Sequence, residues 1–189
     1  PIGTKATALS QAAAVIGDPQ VRNKGTIGGS LAHADPAADY PAAILALGAE
    51  IQVKGPDGER SISADEYFVD LFLTALGPDE IITEIRVPNA DKSSYAKFPH
   101  PASRFAVVGC AAAASGGTVK VAFTGVANAA FRDTGVEEAL GGNLSADSIA
   151  AASEKAADGA EILSDNFAGE EYRQHLARVF ARKALSAIA

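Results

Sequence analysis

The stretch Val21-Arg-Asn-Lys-Gly-Thr-Ile-Gly-Gly-Ser-Leu-Ala-His-Ala-Asp-Pro-Ala-Ala-Asp-Tyr-Pro41 decides the fold of the first half of this chain. Glycine and polar residues crowd into one turn directly before an apolar segment. Asp35 and Pro36 predict the N-cap and the first position of a helix, because a carboxylate caps free amides and proline lacks the amide that a first turn cannot use. Gly48 predicts the end of that helix.

The glycines of the stretch predict a loop that holds an anionic ligand. Gly25, Gly28 and Gly29 give the backbone freedom and allow close approach. Unpaired amides before a helix, with the positive end of the helix dipole behind them, bind a phosphate or pyrophosphate without a cluster of lysines. An ordinary tight turn with a good cap is an equally acceptable interpretation, since the spacing does not match G-x-G-x-x-G.

The composition bounds the class of protein. A chain of 189 residues with 48% hydrophobic and 21% charged residues can bury a core of one large or two small domains. A net charge of -7, with 16 scattered basic residues, argues against a nucleic-acid or anionic-membrane surface. The longest apolar runs, Ala42 to Ala49 and Phe105 to Ala114, are too short to span a bilayer, so we expect a cytoplasmic protein.

The single cysteine and the first residue of the chain support two further predictions. Cys110 lies in an apolar run, which predicts a core position and excludes a disulfide or a thiolate metal site within the chain. The chain begins at Pro1 and contains no methionine, which indicates a fragment, a processed chain or part of a longer one.

The first half reads as helices followed by short strands. The patterns predict, in order, a helix over 6–16 that stops at the triplet 17–19, a hairpin of strands 50–54 and 60–63, a short helix from the capping box at 63–66 through Phe72, and a strand over 80–87 that Pro88 closes.

The second half reads as strands followed by helices, which is typical of an α+β domain. After a polar linker over 89–94, the patterns predict strands at 95–98, 105–115 and 118–127, then helices from Thr134 with breaks at 141–143 and near 164–165, and a final amphipathic run over 170–188. We therefore place a domain boundary near residue 92.

Most of the candidate chemical residues have structural alternatives. His33, His100 and His175 are too dispersed to predict a metal site. Ser30 lacks the G-x-S-x-G elbow of a hydrolase nucleophile, so we interpret it as a hydrogen-bond donor. Asp39 follows Asp35 by four residues and either accepts from ribose or ribityl hydroxyls or serves only as an acid in a first helical turn.

Lys97 also has two interpretations. It either faces solvent on an edge strand or contacts a ligand at the junction of the two domains.

Three ordered segments, R-N-K-G-T-I-G-G-S-L-A-H-A-D-P-A-A-D-Y-P, E-I-I-T-E-I-R-V-P and Y-A-K-F-P-H-P-A-S-R-F-A-V-V-G, resemble the FAD-binding medium subunit of molybdenum hydroxylases. The carbon monoxide dehydrogenase type is the more similar, and xanthine dehydrogenase is more distant. The resemblance implies that residues 1–92 form the second lobe of the FAD-binding domain. It implies that residues 93–189 form a C-terminal domain with a three-stranded antiparallel sheet and a helix bundle.

The resemblance also implies the cofactor contacts. The loop that holds the FAD pyrophosphate is matched by Thr26, Ile27, Gly28, Gly29 and Ser30. His33 matches a further loop contact, and Asp39 matches the acid that binds the hydroxyl-bearing chain. Ile82 matches an aliphatic residue beside the flavin or adenine, Lys97 a lysine near the isoalloxazine ring, and Phe105 an aromatic residue beside the flavin. Carbon monoxide dehydrogenases have tyrosine where this chain has Phe105.

The resemblance implies an oxidoreductase subunit. It would pass electrons from [2Fe-2S] clusters on a small partner through FAD to an external acceptor, after a molybdopterin-binding large subunit oxidises the substrate. The implied assembly is a dimer of heterotrimers. Because nothing before Val21 resembles the family's A-G-G-x-x-L turn, we expect this chain alone to hold FAD poorly.

Two alternatives remain open. The chain is a non-catalytic assembly module that docks partner subunits without FAD, or it is a nucleotide-binding oxidoreductase of unrelated fold. The second is weaker because no βαβ repeat appears.

Overall fold

A computed structural model describes residues 5–17 and 19–189. The first half begins with helices and continues with two small antiparallel sheets that a further short helix separates. Its elements are α1 Thr7–Val15, α2 Pro19–Lys24, α3 Ile27–His33, α4 Asp39–Leu47, β1 Glu50–Gly55, β2 Gly58–Ser63, α5 Ala64–Tyr67, β3 Phe68–Asp70, β4 Leu73–Thr74 and β5 Ile81–Arg86. The strand orders are β2-β1-β5 and β3-β4. Asp18, in the predicted breaker triplet, lies outside the described residues.

The second half is an antiparallel sheet of order β6-β7-β8-β9 followed by helices. Its elements are β6 Lys92–Pro99, β7 Ala106–Ser115, β8 Thr118–Thr124, β9 Phe131–Arg132, α6 Thr134–Leu140, α7 Ala146–Ser153 and α8 Glu170–Ser186. These elements confirm the predicted α+β class, and the two-residue β9 extends the expected three-stranded sheet. No helix in the described part of the chain is both long and apolar enough to cross a membrane.

Strand β7 is buried on both of its faces, and the residues on both faces are apolar. Ala111 and Ala113 belong to a core shared with helices α1 and α4. Cys110 and Ala112, which alternate with them, belong to a second core that α8 covers. A strand buried on both faces needs a continuous apolar run, and the sequence Ala106–Ala113 supplies one.

The start of the apolar helix differs from the prediction. Helix α4 begins at Asp39, with Ala38 as its N-cap, and ends at Gly48 in the left-handed conformation. Asp35 instead closes a turn, because its Oδ1 accepts from the amide of Ala37 at 2.8 Å. The four-residue spacing of Asp35 and Asp39 therefore does not put them on one helical face, and the prediction of an Asp35 cap was wrong.

The glycine loop is also partly helical. Gly28 and Gly29 lie in the first turn of α3, which Thr26 caps. Glycine is a poor helix former, so the pattern indicated a loop. The Thr26 cap and the burial of Leu31 stabilise the helix despite that cost.

Two smaller predictions were wrong. The helix opened by Ser63 ends at Tyr67, and residues 68–74 form the β3-β4 hairpin. Strand β6 begins at Lys92, so the polar segment 92–94 belongs to the sheet rather than to a linker. The hairpin of β1 and β2, strand β5 and the final helix confirm their own predictions, whereas the strand predicted over 118–127 ends at Thr124.

Candidate functional site

A cavity of about 380 Å³ opens where the start of α3 faces the start of α4. Its wall includes three of the predicted site residues, Thr26, Ser30 and Asp39, which are brought together from two helices. Arg22, Asn23 and Tyr40 complete the polar part of the lining. A concave site with a few convergent polar groups is the usual form of a ligand pocket.

The start of α3 borders this cavity through Thr26 and Ser30. Thr26 Oγ1 accepts from the amide of Gly29 at 3.0 Å, and the Thr26 carbonyl accepts from the amide of Ser30 at 3.0 Å. Helical geometry leaves the amides of Ile27 and Gly28 without an acceptor inside the helix. Together with the helix dipole, these two amides favour an anion.

The two glycines of α3 have different steric surroundings. A Cβ on Gly29 would lie 3.1 Å from Thr26 Oγ1 and would press on the cap. A Cβ on Gly28 would meet no atom within 4 Å. The protein itself therefore does not require a glycine at position 28, and the space above it is available to a ligand that approaches the backbone closely.

Asp39 is the buried acid of the site. Its Oδ1 accepts from the Tyr95 hydroxyl at 2.6 Å, and its Oδ2 accepts from Lys97 Nζ at 2.8 Å. The side chains of Lys97 and Asp39 are only 4% and 6% exposed. The edge-strand interpretation of Lys97 as a solvent-facing residue was therefore wrong, because its ammonium group lies against α4.

Burial determines the proton affinities in this cluster. Desolvation raises the pKa of Asp39 above its usual value, while the hydrogen bonds from Lys97 and Tyr95 and the Lys97 charge oppose the rise. Burial and the neighbouring Asp39 raise the pKa of the Tyr95 hydroxyl well above its usual range. Tyr95 is thus a stable hydrogen-bond donor to Asp39 at neutral pH.

Gly109 on β7 makes room for that donor. A Cβ at this position would lie 2.2 Å from Tyr95 Oη and 2.7 Å from Thr124 Cγ2. The hydroxyl of Tyr95 crosses the strand at this glycine to reach Asp39. Any larger residue would push the tyrosine away from the acid.

The turn before α4 is fixed by the second sheet. Thr124 Oγ1 lies 2.6 Å from the Pro36 carbonyl and 2.7 Å from the Ala38 carbonyl. The amide of Gly125 donates to Pro36 O at 2.6 Å. Asp39 is therefore positioned from both halves of the chain.

The other predicted residues lie around this centre and do not line its cavity. His33 is exposed at the end of α3, and its ring lies 5.0 Å from that of Phe72. Ile27 and Ile82 are half-buried against the first core. Phe105, 38% exposed, precedes Ala106, whose amide donates to Ala37 O at 3.1 Å.

Sequence reasoning missed Tyr95, Gly109 and Thr124. Tyr95 was detectable, because residues two apart on a strand point to the same face and Lys97 was already a candidate. Gly109 and Thr124 carry no local signal, since their roles depend on how β7 and β8 pair.

The described residues contain no group of three or more histidine, cysteine or acidic side chains placed to hold a metal ion. The buried thiol of Cys110 has a pKa raised well above its usual value, chiefly by desolvation. A buried thiol of this kind is chemically inert.

Two family models match the chain along nearly its whole length. Residues 2–90 match the FAD binding domain in molybdopterin dehydrogenase, and residues 93–188 match the CO dehydrogenase flavoprotein C-terminal domain. The chain belongs to the FAD-binding medium subunits of the molybdenum hydroxylase family.

Relatives in this medium-subunit family are oxidoreductase subunits. The carbon monoxide dehydrogenase medium chain of Hydrogenophaga pseudoflava is 36% identical over 95% of this chain and 66% of that protein. The nicotine 6-hydroxylase medium subunit of Paenarthrobacter nicotinovorans is 34% identical over 90% of this chain and 62% of that protein. The glyceraldehyde dehydrogenase medium chain of Sulfolobus acidocaldarius is 33% identical over the whole chain and 70% of that protein.

Solved structures of the family share this fold. Carbon monoxide dehydrogenase from Hydrogenophaga pseudoflava, in a form lacking the Mo-pyranopterin moiety, superposes with a TM-score of 0.91 at 36% identity over 99% of this chain and 68% of that one. Quinoline 2-oxidoreductase from Pseudomonas putida 86 superposes with a TM-score of 0.88 at 26% identity. The chain spans just under two thirds of the length of its first-named relatives.

The cavity fits part of the family's cofactor, FAD. Thr26 and Ser30 at the start of α3 and the buried acid Asp39 on α4 line the cavity with polar groups that suit a phosphate and a hydroxyl-bearing chain. A volume of about 380 Å³ is near the lower limit of small-molecule pockets, so a dinucleotide extends beyond it.

Proposed function

We propose that this chain is the FAD-binding, electron-transfer part of a molybdenum hydroxylase medium subunit. It would receive electrons from [2Fe-2S] clusters on a small partner subunit and deliver them through FAD to an external acceptor. A molybdopterin-binding large subunit would oxidise the substrate, and the assembly would be a dimer of heterotrimers. Residues 1–92 would form the second lobe of the flavin domain, and residues 93–189 the C-terminal domain.

One observation carries this proposal. Asp39 lines the cavity together with Thr26 and Ser30 of the α3 start, and it forms a buried ion pair with Lys97 behind the cavity wall. Buried pairs lose much of their attraction to desolvation and are a poor way to stabilise a fold. Their retention at a cavity is therefore better explained by a ligand than by stability.

The proposed roles follow from the contacts. Thr26, Ile27, Gly28, Gly29 and Ser30 bind the pyrophosphate through amides and hydroxyls, and Asp39 accepts from the hydroxyl-bearing chain through lone pairs that Tyr95 and Lys97 leave free. By the family resemblance, Lys97 and Phe105 would lie toward the isoalloxazine ring, and Ile82 and His33 would contact other parts of FAD. FAD, when bound, supplies the redox chemistry, and the protein supplies orientation and electrostatics.

Titration of FAD into the purified chain tests the proposal. We expect weak, saturable binding, because the contacts in this chain cover only part of the cofactor. Thr26→Ala and Asp39→Ala should each weaken binding at least about tenfold, the equivalent of about 1.4 kcal/mol. Single changes should lower FAD occupancy rather than abolish a chemical step, since no general acid or base is needed here.

Glu84→Gln provides the matched control. Glu84 is an exposed carboxylate paired with Arg86 on β5, so its removal changes the charge by the same amount as Asp39→Ala without touching the cavity. Equal FAD affinity for the wild type and both cavity variants would reject the site.

A second candidate function, an assembly module without FAD, is favoured by the β3-β4 hairpin. Four of its large apolar side chains are about half exposed: Val69, Leu71, Phe72 and Leu73. Contiguous exposed apolar surface commonly marks a protein contact. This candidate predicts partner binding that does not respond to Thr26→Ala or Asp39→Ala, together with no FAD binding at all.

A further inference from the structure

Arg173, in the first turn of α8, is buried although it carries a charge. Its side chain is only 6% exposed, whereas its carboxylate partner Asp165 is about half exposed. The guanidinium also donates to three backbone carbonyls, those of Val107, Gly125 and Ala168. Burying a charge is costly unless hydrogen bonds offset the lost hydration. The position of this side chain is therefore fixed by its acceptors.

Two of the carbonyl acceptors lie past the end of the β7-β8 ladder. The last paired residues at this end are Gly109 and Thr124. Beyond them, Nη1 of Arg173 donates to Val107 O on β7 and to the carbonyl of Gly125, the residue that follows β8. A Cβ on Gly125 would lie 2.5 Å from Val107 O. Arg173 therefore joins the two strands from α8 at a point where their backbones are in close contact.

Gly125 connects the arginine to the candidate site. Its carbonyl accepts from Arg173, and its amide donates to Pro36 O at 2.6 Å. Pro36 belongs to the turn that precedes α4, and Asp39 is the first residue of that helix. A displacement of Gly125 would therefore move the turn that sets the position of Asp39.

Strand β7 gives a second route to the same turn. The amide of Ala106 donates to Ala37 O at 3.1 Å. Ala106 is the neighbour of Val107, whose carbonyl accepts from Arg173 at 2.7 Å. One guanidinium thus restrains both of the segments whose amides bind this turn.

We propose that Arg173 is a positioning residue of the cofactor site, which holds Asp39 in place through Gly125 and β7. Arg173 is not among the described residues that line the cavity, so it acts through the backbone rather than on the ligand. Its planar guanidinium directs several donors in a fixed geometry, which a lysine ammonium does not reproduce. This role rests on the proposed function, because it is a role in FAD binding.

The test is FAD titration of the whole chain carrying Arg173→Met, which removes the donors and keeps an unbranched stem. We expect about tenfold weaker FAD binding. We also expect faster hydrogen exchange at the Gly125 amide, because its bond to Pro36 loses support. Arg173→Lys should lie between the wild type and Arg173→Met in both measurements, since it keeps a charged donor without the guanidinium geometry.

Two control variants on α8 separate positioning from charge and from stability. Arg182→Met is the same substitution at an exposed arginine that pairs with Glu154, and it should leave FAD affinity unchanged. Leu176→Ala opens a cavity in the second core and should lower the urea midpoint without changing FAD affinity. If Arg173 only stabilised the fold, its variants would behave as Leu176→Ala does.

The outcomes distinguish this role from the proposed function. Wild-type FAD affinity in folded Arg173→Met, or an equal loss of affinity in Leu176→Ala, would overturn the positioning role alone. If Arg173→Met does not fold, Arg173→Lys decides: weaker FAD binding supports the role, and wild-type affinity overturns it. If the wild-type chain itself binds no FAD, the proposed function fails and the positioning role fails with it.

Discussion

Two carboxylate-cation pairs in this molecule have the same chemistry and opposite physical settings. Asp39, which lines the candidate cavity, and its partner Lys97 are almost fully buried. Glu80 and Arg60 form a paired contact on the surface of the first sheet, with both carboxylate oxygens 2.7 Å from guanidinium nitrogens. Burial raises the pKa of Asp39, whereas the Arg60 contact lowers the pKa of Glu80 to about 2.

The difference shows what each pair contributes. In the surface pair, Glu80 also accepts from the amide of Gly77, and Arg60 also donates to the carbonyl of Ala75. The pair therefore stabilises the loop before β5. It stabilises local structure at little desolvation cost. The buried pair gives up hydration on both partners, and under the proposed function it serves ligand binding rather than stability.

The largest effect is expected from Lys97→Met. Removing the ammonium leaves the Asp39 carboxylate buried without its cation, which typically costs about 3–5 kcal/mol. Urea unfolding measures the loss. The double variant Lys97→Met with Asp39→Leu should recover most of it, and a double variant as unstable as the single one would contradict the desolvation argument.

Gly109→Ala should cost about 1–3 kcal/mol in unfolding free energy, because its Cβ overlaps the Tyr95 hydroxyl. It should also weaken FAD binding by displacing the tyrosine from Asp39. Adding Tyr95→Phe removes the closest overlapping atom and should restore part of the stability without restoring FAD affinity. Full recovery of both properties would show that the Tyr95 hydroxyl does not matter to the site.

Gly28→Ala separates stability from binding. Alanine at an open helical position should raise the unfolding free energy by about 0.5–1 kcal/mol. The new methyl group should occupy the space above α3 and weaken FAD binding about tenfold or more. Thermal unfolding and FAD titration on the same sample measure the two effects, and a stabilised variant with unchanged FAD affinity would contradict a ligand at this position.

The smallest effects are in the pH dependence, and the two pairs differ in sign. The lowered pKa of Glu80 means that its contribution is present above about pH 4.5 and is lost as the pH falls toward about 2. The raised pKa of Asp39 means that its contribution is present below pH 3.8, the ordinary value, and is lost as the pH rises through the raised value. Urea midpoints are measured against pH for Glu80→Gln and Asp39→Asn, and each variant should lose the slope that its own carboxyl group causes in the wild type. If the two lost slopes have the same sign, the two pairs respond to pH alike.

The sequence was sufficient for features with a local cause. The alternation in β1 and β5, the turn at Gly116 and Gly117, and the long amphipathic helix α8 all follow from patterns within a few residues. The apolar run of β7 was recognised as a strand, although its burial on both faces needed the packing of α8 and α4.

The sequence was insufficient where partners are distant along the chain. Asp39 meets residues 56 and 58 positions away, and Thr124 reaches the Pro36 carbonyl 88 positions away. Gly28 and Gly29 indicated a loop because the cost of helical glycine is visible locally, while the burial of Leu31 is not. The sequence therefore predicted one helix capped by Asp35, where the structure has two helices, α3 capped by Thr26 and α4 with Ala38 as its N-cap residue.

The most direct test of the central claim is FAD titration of the wild-type chain, Gly28→Ala and Glu80→Gln, followed by flavin fluorescence. We predict saturable binding to the wild type and to Glu80→Gln with equal affinity, and at least about tenfold weaker binding to the folded Gly28→Ala variant. Equal affinity for all three proteins would contradict a cofactor site at the start of α3.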